Sequence, residues 1–147
     1  MKPKFLLRIA SVLMFLHTAG HTLGALTWKN APNAAVGQVI NGMEIIHFEF
    51  MGRSVSIASF YEDYGFNMIL VLLLISVLLW LLSAETRRNL SLRTTQLLAA
   101  FLLMMAIIEY IYFFAFAAAL TLLAGICTLI ALLINDAGNA LKPEVKK

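Results

Sequence analysis

One stretch decides the fold: LRTTQLLAAFLLMMAIIEYIYFFAFAAALTLLAGICTLIALLI, from Leu92 to Ile134. Beyond Arg93 its only charge is Glu109. As one helix its roughly 43 residues would reach about 65 Å, twice the thickness of a hydrocarbon core. The run must therefore fold back on itself. It predicts two spans, at about 92–110 and 114–134, with the turn at Glu109–Phe114 (EYIYFF), where the charge sits among aromatics.

Working outward, two more runs reach membrane length. Phe5 to Trp28 is one. The other runs from about Tyr64 to Ala84, around NMILVLLLISVLLWLLS. The expected fold is an all-α four-helix transmembrane bundle. Composition agrees: of 147 residues, 61% are hydrophobic and 13% charged, with a mean hydropathy of +0.87. A soluble domain carries about a quarter charged residues. Spans at about 5–28, 64–84, 92–110 and 114–134 use up the chain, so one membrane domain over 1–147 is expected. The net charge of +3 does not point to nucleic acid, because the basic residues gather at span ends. A lone cysteine, Cys127, permits no internal disulfide.

Those basic residues predict orientation. Lys2, Lys4 and Arg8 precede span one; Arg87, Arg88 and Arg93 lie between spans two and three; Lys142, Lys146 and Lys147 follow span four. The other side carries Lys29 and Arg53 against Glu44, Glu49, Glu62, Asp63 and Glu109. The positive-inside rule then places both termini in the cytoplasm, N-in and C-in, in a cell inner (plasma) membrane. Trp28, Tyr61, Tyr64, Tyr110 and Tyr112 form an expected outer aromatic belt, and Trp80 an inner anchor. A cleaved signal peptide is the competing reading of the first segment. Arg8 interrupts its apolar core, and apolar character continues past the histidines, which favours a span.

The outer loop, 29–63, opens with a break at Lys29-Asn-Ala-Pro-Asn33. Apolar residues at 36, 39, 40, 43, 46 and 50 predict an amphipathic helical segment over Val36–Met51, suited to the membrane interface. Alternation in EIIHFEF also permits a strand, though one without an evident partner. Gly52-Arg-Ser-Val-Ser56 reads as a second break. The tail from Asn135 to Lys147 reads as polar and frayed.

The candidate chemistry lies in the outer half. His17 and His21 stand one turn apart on one helix face, about 18 and 24 Å along span one. An ionisable group at that depth is costly and is a functional-site hypothesis by default. Glu44, His47, Asp63 and Glu109 fall on the same side, so an outward pocket lined by these six is expected. Three readings follow. His17, His21, Glu44 and His47 are candidate ligands of a divalent transition metal; haem fits less well, because His17 and His21 share a helix. Alternatively His17, His21, Tyr64 and Glu109 contact a small lipophilic ligand. In the third, His17 with Glu109 or Asp63 forms an acid–base pair of an isomerase-like intramembrane enzyme. A proton-relaying transporter subunit would require homo-oligomerisation. Against all of these stands a purely structural or accessory role, with His17 bonded to a neighbouring helix through Ser76 or Thr128.

Several motifs carry a resemblance. The basic start, Gly20-His21-Thr22-Leu23-Gly24 late in span one, the outer loop, and Phe60-Tyr-Glu-Asp-Tyr-Gly-Phe66 entering span two resemble small uncharacterised bacterial four-span membrane proteins, and more broadly the DoxX-like class. The resemblance implies a four-helix fold and a bacterial inner membrane, and transfers no activity.

Overall fold

A computed structural model describes residues 2–85 and 88–140, with side chains outside 88–91 and 135–140. The elements run α1 (Pro3–Thr27), α2 (Ala34–Ile45), β1 (His47–Phe50), β2 (Arg53–Ser56), α3 (Ile57–Ala84), α4 (Arg88–Tyr112) and α5 (Ala115–Ala140). Among the described residues four helices are long and apolar enough to cross a membrane, over Pro3–Thr27, Ile57–Ala84, Leu92–Tyr112 and Ala115–Ile134. The chain is a multi-pass, all-α membrane protein with one small hairpin. The expected turn is present, with α4 and α5 parting at Phe113–Phe114.

The chain divides into two compact units. One comprises 1–17 and 72–147, the other 18–71. The first is a four-helix bundle of the start of α1, the end of α3, and α4 and α5. Its core contains Leu6, Leu7, Ala10 and Met14 of α1, Leu72, Ile75 and Leu79 of α3, Leu98 and Leu102 of α4, and Ala124 and Ala131 of α5. In a bilayer, lipid is as apolar as these side chains, so close packing and interhelical hydrogen bonds must hold the helices together. Both devices are present. On α5, Ala117, Ala118, Thr121, Ala124, Gly125, Thr128 and Ala131 are all buried. They recur at three- and four-residue spacing and form one small-residue face. A Cβ on Gly125 would stand 3.1 Å from Leu103 Cδ2 and 3.3 Å from Leu102 Cβ. That measures how closely α5 approaches α4. Between α1 and α3, Ser11 Oγ donates to the Ser76 carbonyl at 2.7 Å, and Ser76 Oγ donates to the Ser11 carbonyl at 2.9 Å.

The second unit contains the rest of α1, α2, the hairpin and the start of α3. Asn33 caps α2 by accepting from the Val36 amide at 3.0 Å. The amphipathic segment expected to continue to Met51 ends as a helix at Ile45 and becomes β1. Its partner is β2, the stretch read as a break. The two pair antiparallel, from His47 opposite Ser56 to Phe50 opposite Arg53. Met51 and Gly52 make the two-residue turn with φ of 51° and 80°. Two consecutive positive φ values match the hairpin turn that follows strand twist. Phe48 and Phe50 both pack on Phe60, with ring centroids 6.1 and 5.4 Å away.

Helix α3 starts at Ile57, about two turns before the expected Tyr64. Ser56 and Ser59 explain the early start. Ser56 Oγ accepts from the Ser59 amide at 3.2 Å, and Ser59 Oγ accepts from the Ser56 amide at 2.9 Å. This is a capping box with serine where glutamate is usual. At the far end of the chain, the helix continues to Ala140, so the tail expected to fray from Asn135 is helical over its first residues. Arg87, Lys142, Lys146 and Lys147 lie outside the described residues.

Candidate functional site

Within the bundle unit, α1, α4 and α5 bring three polar side chains together. His17 comes from α1 and is 4% exposed; Thr121 comes from the small-residue face of α5 and is 0% exposed. Glu109 is three residues from the end of α4, with a side chain 13% exposed. His17 Nδ1 and Thr121 Oγ1 are hydrogen-bonded at 2.9 Å. The Thr121 hydroxyl also interacts with the Glu109 carboxyl. His17 Nε2 faces Glu109 Oε1 at 3.7 Å, beyond the direct hydrogen-bond range of about 2.7–3.2 Å. Glu109 Oε2 is buried and has no hydrogen-bond partner among the described residues.

Proton bookkeeping follows from this geometry. If Thr121 donates to Nδ1, the neutral imidazole carries its proton on Nε2 and aims it at Glu109. Either a neutral acid beside a neutral imidazole or a carboxylate beside an imidazolium leaves the pair with zero net charge. A buried pair has reason to stay so, because a lone charge in low dielectric is far more costly than a matched one. The site can therefore hold or pass one proton, or offer one donor and one acceptor to a polar group between them.

The expected bond from His17 to Ser76 or Thr128 is corrected to Thr121. Ser76 is occupied by Ser11, and Thr128 donates to the carbonyl of Ala124 in its own helix at 2.8 Å. Thr121 lies seven residues before Thr128, two turns along the same face. That heptad spacing of the only two threonines in the α5 apolar run was the available signal.

The other candidates belong to the second unit. His21 is half-buried on α1. Glu44 is engaged by Lys29 Nζ at 2.8 Å, and the same ammonium reaches Glu62 at 2.9 Å. Lys29 also lies 5.4 Å from the centre of the Trp28 ring, and Trp28 packs on Tyr61 at 4.8 Å. The Glu44 hydrogen bond first, and that of Glu62 second, push the Lys29 ammonium up to about 12. His47 is exposed, and its Nδ1–H donates to the Ile45 carbonyl at 3.1 Å. Asp63 is exposed and accepts from Asn67 at 3.0 Å. It lines a cavity of about 500 Å³ with Phe50, Arg53, Ser59 and Phe60. Tyr64 is 72% exposed. Among the described residues no group of three or more His, Cys, Asp or Glu side chains is placed to hold a metal ion. Of the four candidate metal ligands, Glu44 answers Lys29 and His47 bonds its own backbone.

These features define an integral membrane protein with a buried His–Thr–Glu cluster in a four-helix bundle. Comparison with protein-family models, curated proteins and solved structures finds no match to the chain.

Proposed function

We propose that this protein binds the polar end of a small lipophilic molecule between His17 and Glu109. The observation that carries the reading is the buried Glu109 Oε2, left without a protein partner among the described residues. A buried carboxylate oxygen normally finds a donor, and leaving it bare is costly. A hydroxyl answers both groups: it accepts from His17 Nε2–H and donates to Glu109. The rest of such a molecule would lie among the apolar side chains of α4 and α5. The same pair suits proton transfer, as in double-bond isomerisation: the Glu109 carboxylate takes a proton from one carbon, the His17 imidazolium returns one to another, and a proton passing from Glu109 back to His17 restores the starting state. The 3.7 Å separation of the two groups favours that second reading over a closed ion pair.

The basic residues at the start of α1 (Lys2, Lys4 and Arg8) and at the start of α4 support N-in and C-in topology. With the DoxX-like resemblance, they support placement in a bacterial inner membrane. The test of the site is photolabelling of detergent-purified protein with a diazirine-bearing long-chain alcohol. Labelling near Glu109 should be competed by the plain alcohol and not by the matching alkane. It should fall about tenfold in Glu109→Gln, as expected when a hydrogen bond to a charged or buried acceptor is lost. Equal competition by the alkane, or unchanged labelling of Glu109→Gln, would overturn the proposal.

A further inference from the structure

The bundle unit carries a second feature on its surface, remote in chemistry from the His17 cluster. A groove of about 280 Å³ is lined by Ser11, Val12 and Phe15 of α1 and by Ser76, Val77 and Trp80 of α3. Val12, Phe15, Val77 and Trp80 each leave about half of their surface exposed. In a spanning helix such faces meet acyl chains. The two serines do not make the groove polar, because each hydroxyl is spent on the opposite backbone carbonyl.

One end of the groove is cationic. Arg8 stands one turn before Val12 on the same face of α1. Its guanidinium lies 5.2 Å from the centre of the Trp80 ring, and its Nε donates to Ser83 Oγ at 3.5 Å. Among the described residues no carboxylate forms an ion pair with Arg8. The side chain is exposed, yet its direction is fixed by the Trp80 face and Ser83. Tryptophan and arginine together mark headgroup depth, and the guanidinium fork matches a phosphate in two-point geometry.

We propose that this groove is a binding site for an anionic phospholipid. One acyl chain lies between α1 and α3 against Val12, Phe15 and Val77, and the headgroup phosphate sits on Arg8. Charge complementarity selects this occupant over a second copy of the chain, whose α1 and α3 faces would bring another Arg8 to the same place.

Trp80 reports the site directly. The chain has two tryptophans, so Trp28→Phe leaves Trp80 as the single emitter. The full-length variant is reconstituted in phosphatidylcholine vesicles containing chain-brominated phosphatidylglycerol or chain-brominated phosphatidylcholine. Brominated phosphatidylglycerol should quench Trp80 with about fivefold higher apparent affinity, the scale of one basic residue at a membrane surface. Arg8→Gln should abolish that preference, and Arg8→Lys should keep part of it. Brominated oleate, anionic but without phosphate, should fall short of the phosphatidylglycerol. Equal quenching by the two phospholipids would overturn the proposal, as would a preference that survives Arg8→Gln. Quenching by neither lipid, with crosslinking between copies at Val12, would assign the groove to self-association instead.

Discussion

The two units each set a carboxylate beside a basic nitrogen, and they do so in opposite ways. In the second unit Lys29 holds Glu44 and Glu62 at 2.8 and 2.9 Å, but its side chain is about half exposed. In the bundle His17 and Glu109 stand 3.7 Å apart with almost no access to solvent. Distance alone would rank the first arrangement as stronger. Environment reverses the order, because water and salt screen exposed pairs while a buried polar pair is costly to disturb. The Lys29 clamp ties loop to helix, whereas the His17 cluster is where chemistry can be done.

The largest effect should come from disturbing the frame that holds the buried pair. Thr121 of α5 lies beside Glu109 of α4 because the two helices approach closely, and Gly125 sets that approach. Gly125→Leu should destabilise the bundle by about 2–3 kcal/mol or more through overpacking. Gly125→Ala should cost less, since its nearest contact is the flexible end of Leu103. Both are measured by unfolding in a denaturing-detergent titration. A Gly125→Leu protein as stable as the parent would show that α5 has room the structure does not have.

Next in size is the pair itself. His17→Leu and Glu109→Leu each strand polar partners in the bundle and should cost about 1–3 kcal/mol. The double variant removes both sides of the mismatch. It should cost less than the two losses added, with a coupling of about 1 kcal/mol or more. Strict additivity would mean that the two side chains do not act together, and the contrast between the units would collapse.

Four spans were legible because a bilayer demands long apolar runs, and the break at Phe113–Phe114 followed from the excess length of Leu92–Ile134. His17 and Glu109 were legible as costly residues in apolar surroundings. Their pairing was one expectation among several, with Asp63 as the other acid, and Thr121 was missed, because nothing in a linear pattern specifies the rotation of α1 or α5 about its own axis. His17 and His21 looked equivalent for the same reason. The strand β2 was missed because Met51-Gly52 lacks the Asn-Gly or Asp-Gly signature, and exposed Met51 adopts a positive φ that methionine rarely takes. The early start of α3 was hidden because Ser56 and Ser59 looked like loop residues until their reciprocal bonds made them a cap.

That cap gives the third prediction. Ser56→Ala removes the acceptor for the Ser59 amide and should cost about 1 kcal/mol. Ser56→Asp should recover most of it, because aspartate caps equally well and favours the helix N-terminus. Hydrogen exchange of the Ser59 amide provides the local readout. Unchanged protection in Ser56→Ala would remove the capping box as the reason that α3 starts at Ile57.

The smallest effect belongs to Lys29, and its pH dependence separates it from the buried pair. Lys29→Met deletes both ion pairs, yet the loss should be slight and should shrink as salt is added. The folded state holds the ammonium at about 12, above its ordinary 10.5. Its contribution is therefore complete below about pH 10.5 and fades as pH rises through about 12. The gap in thermal stability between the parent and Lys29→Met should close across that alkaline window and stay constant from neutral pH up to its lower edge. Salt should leave the His17–Glu109 coupling untouched, because counterions do not reach a side chain only 4% exposed. If salt erased both effects alike, the bundle pair would have to be as accessible as the clamp. The cluster of His17, Thr121 and Glu109 would then be a wet surface feature and no place to hold a proton.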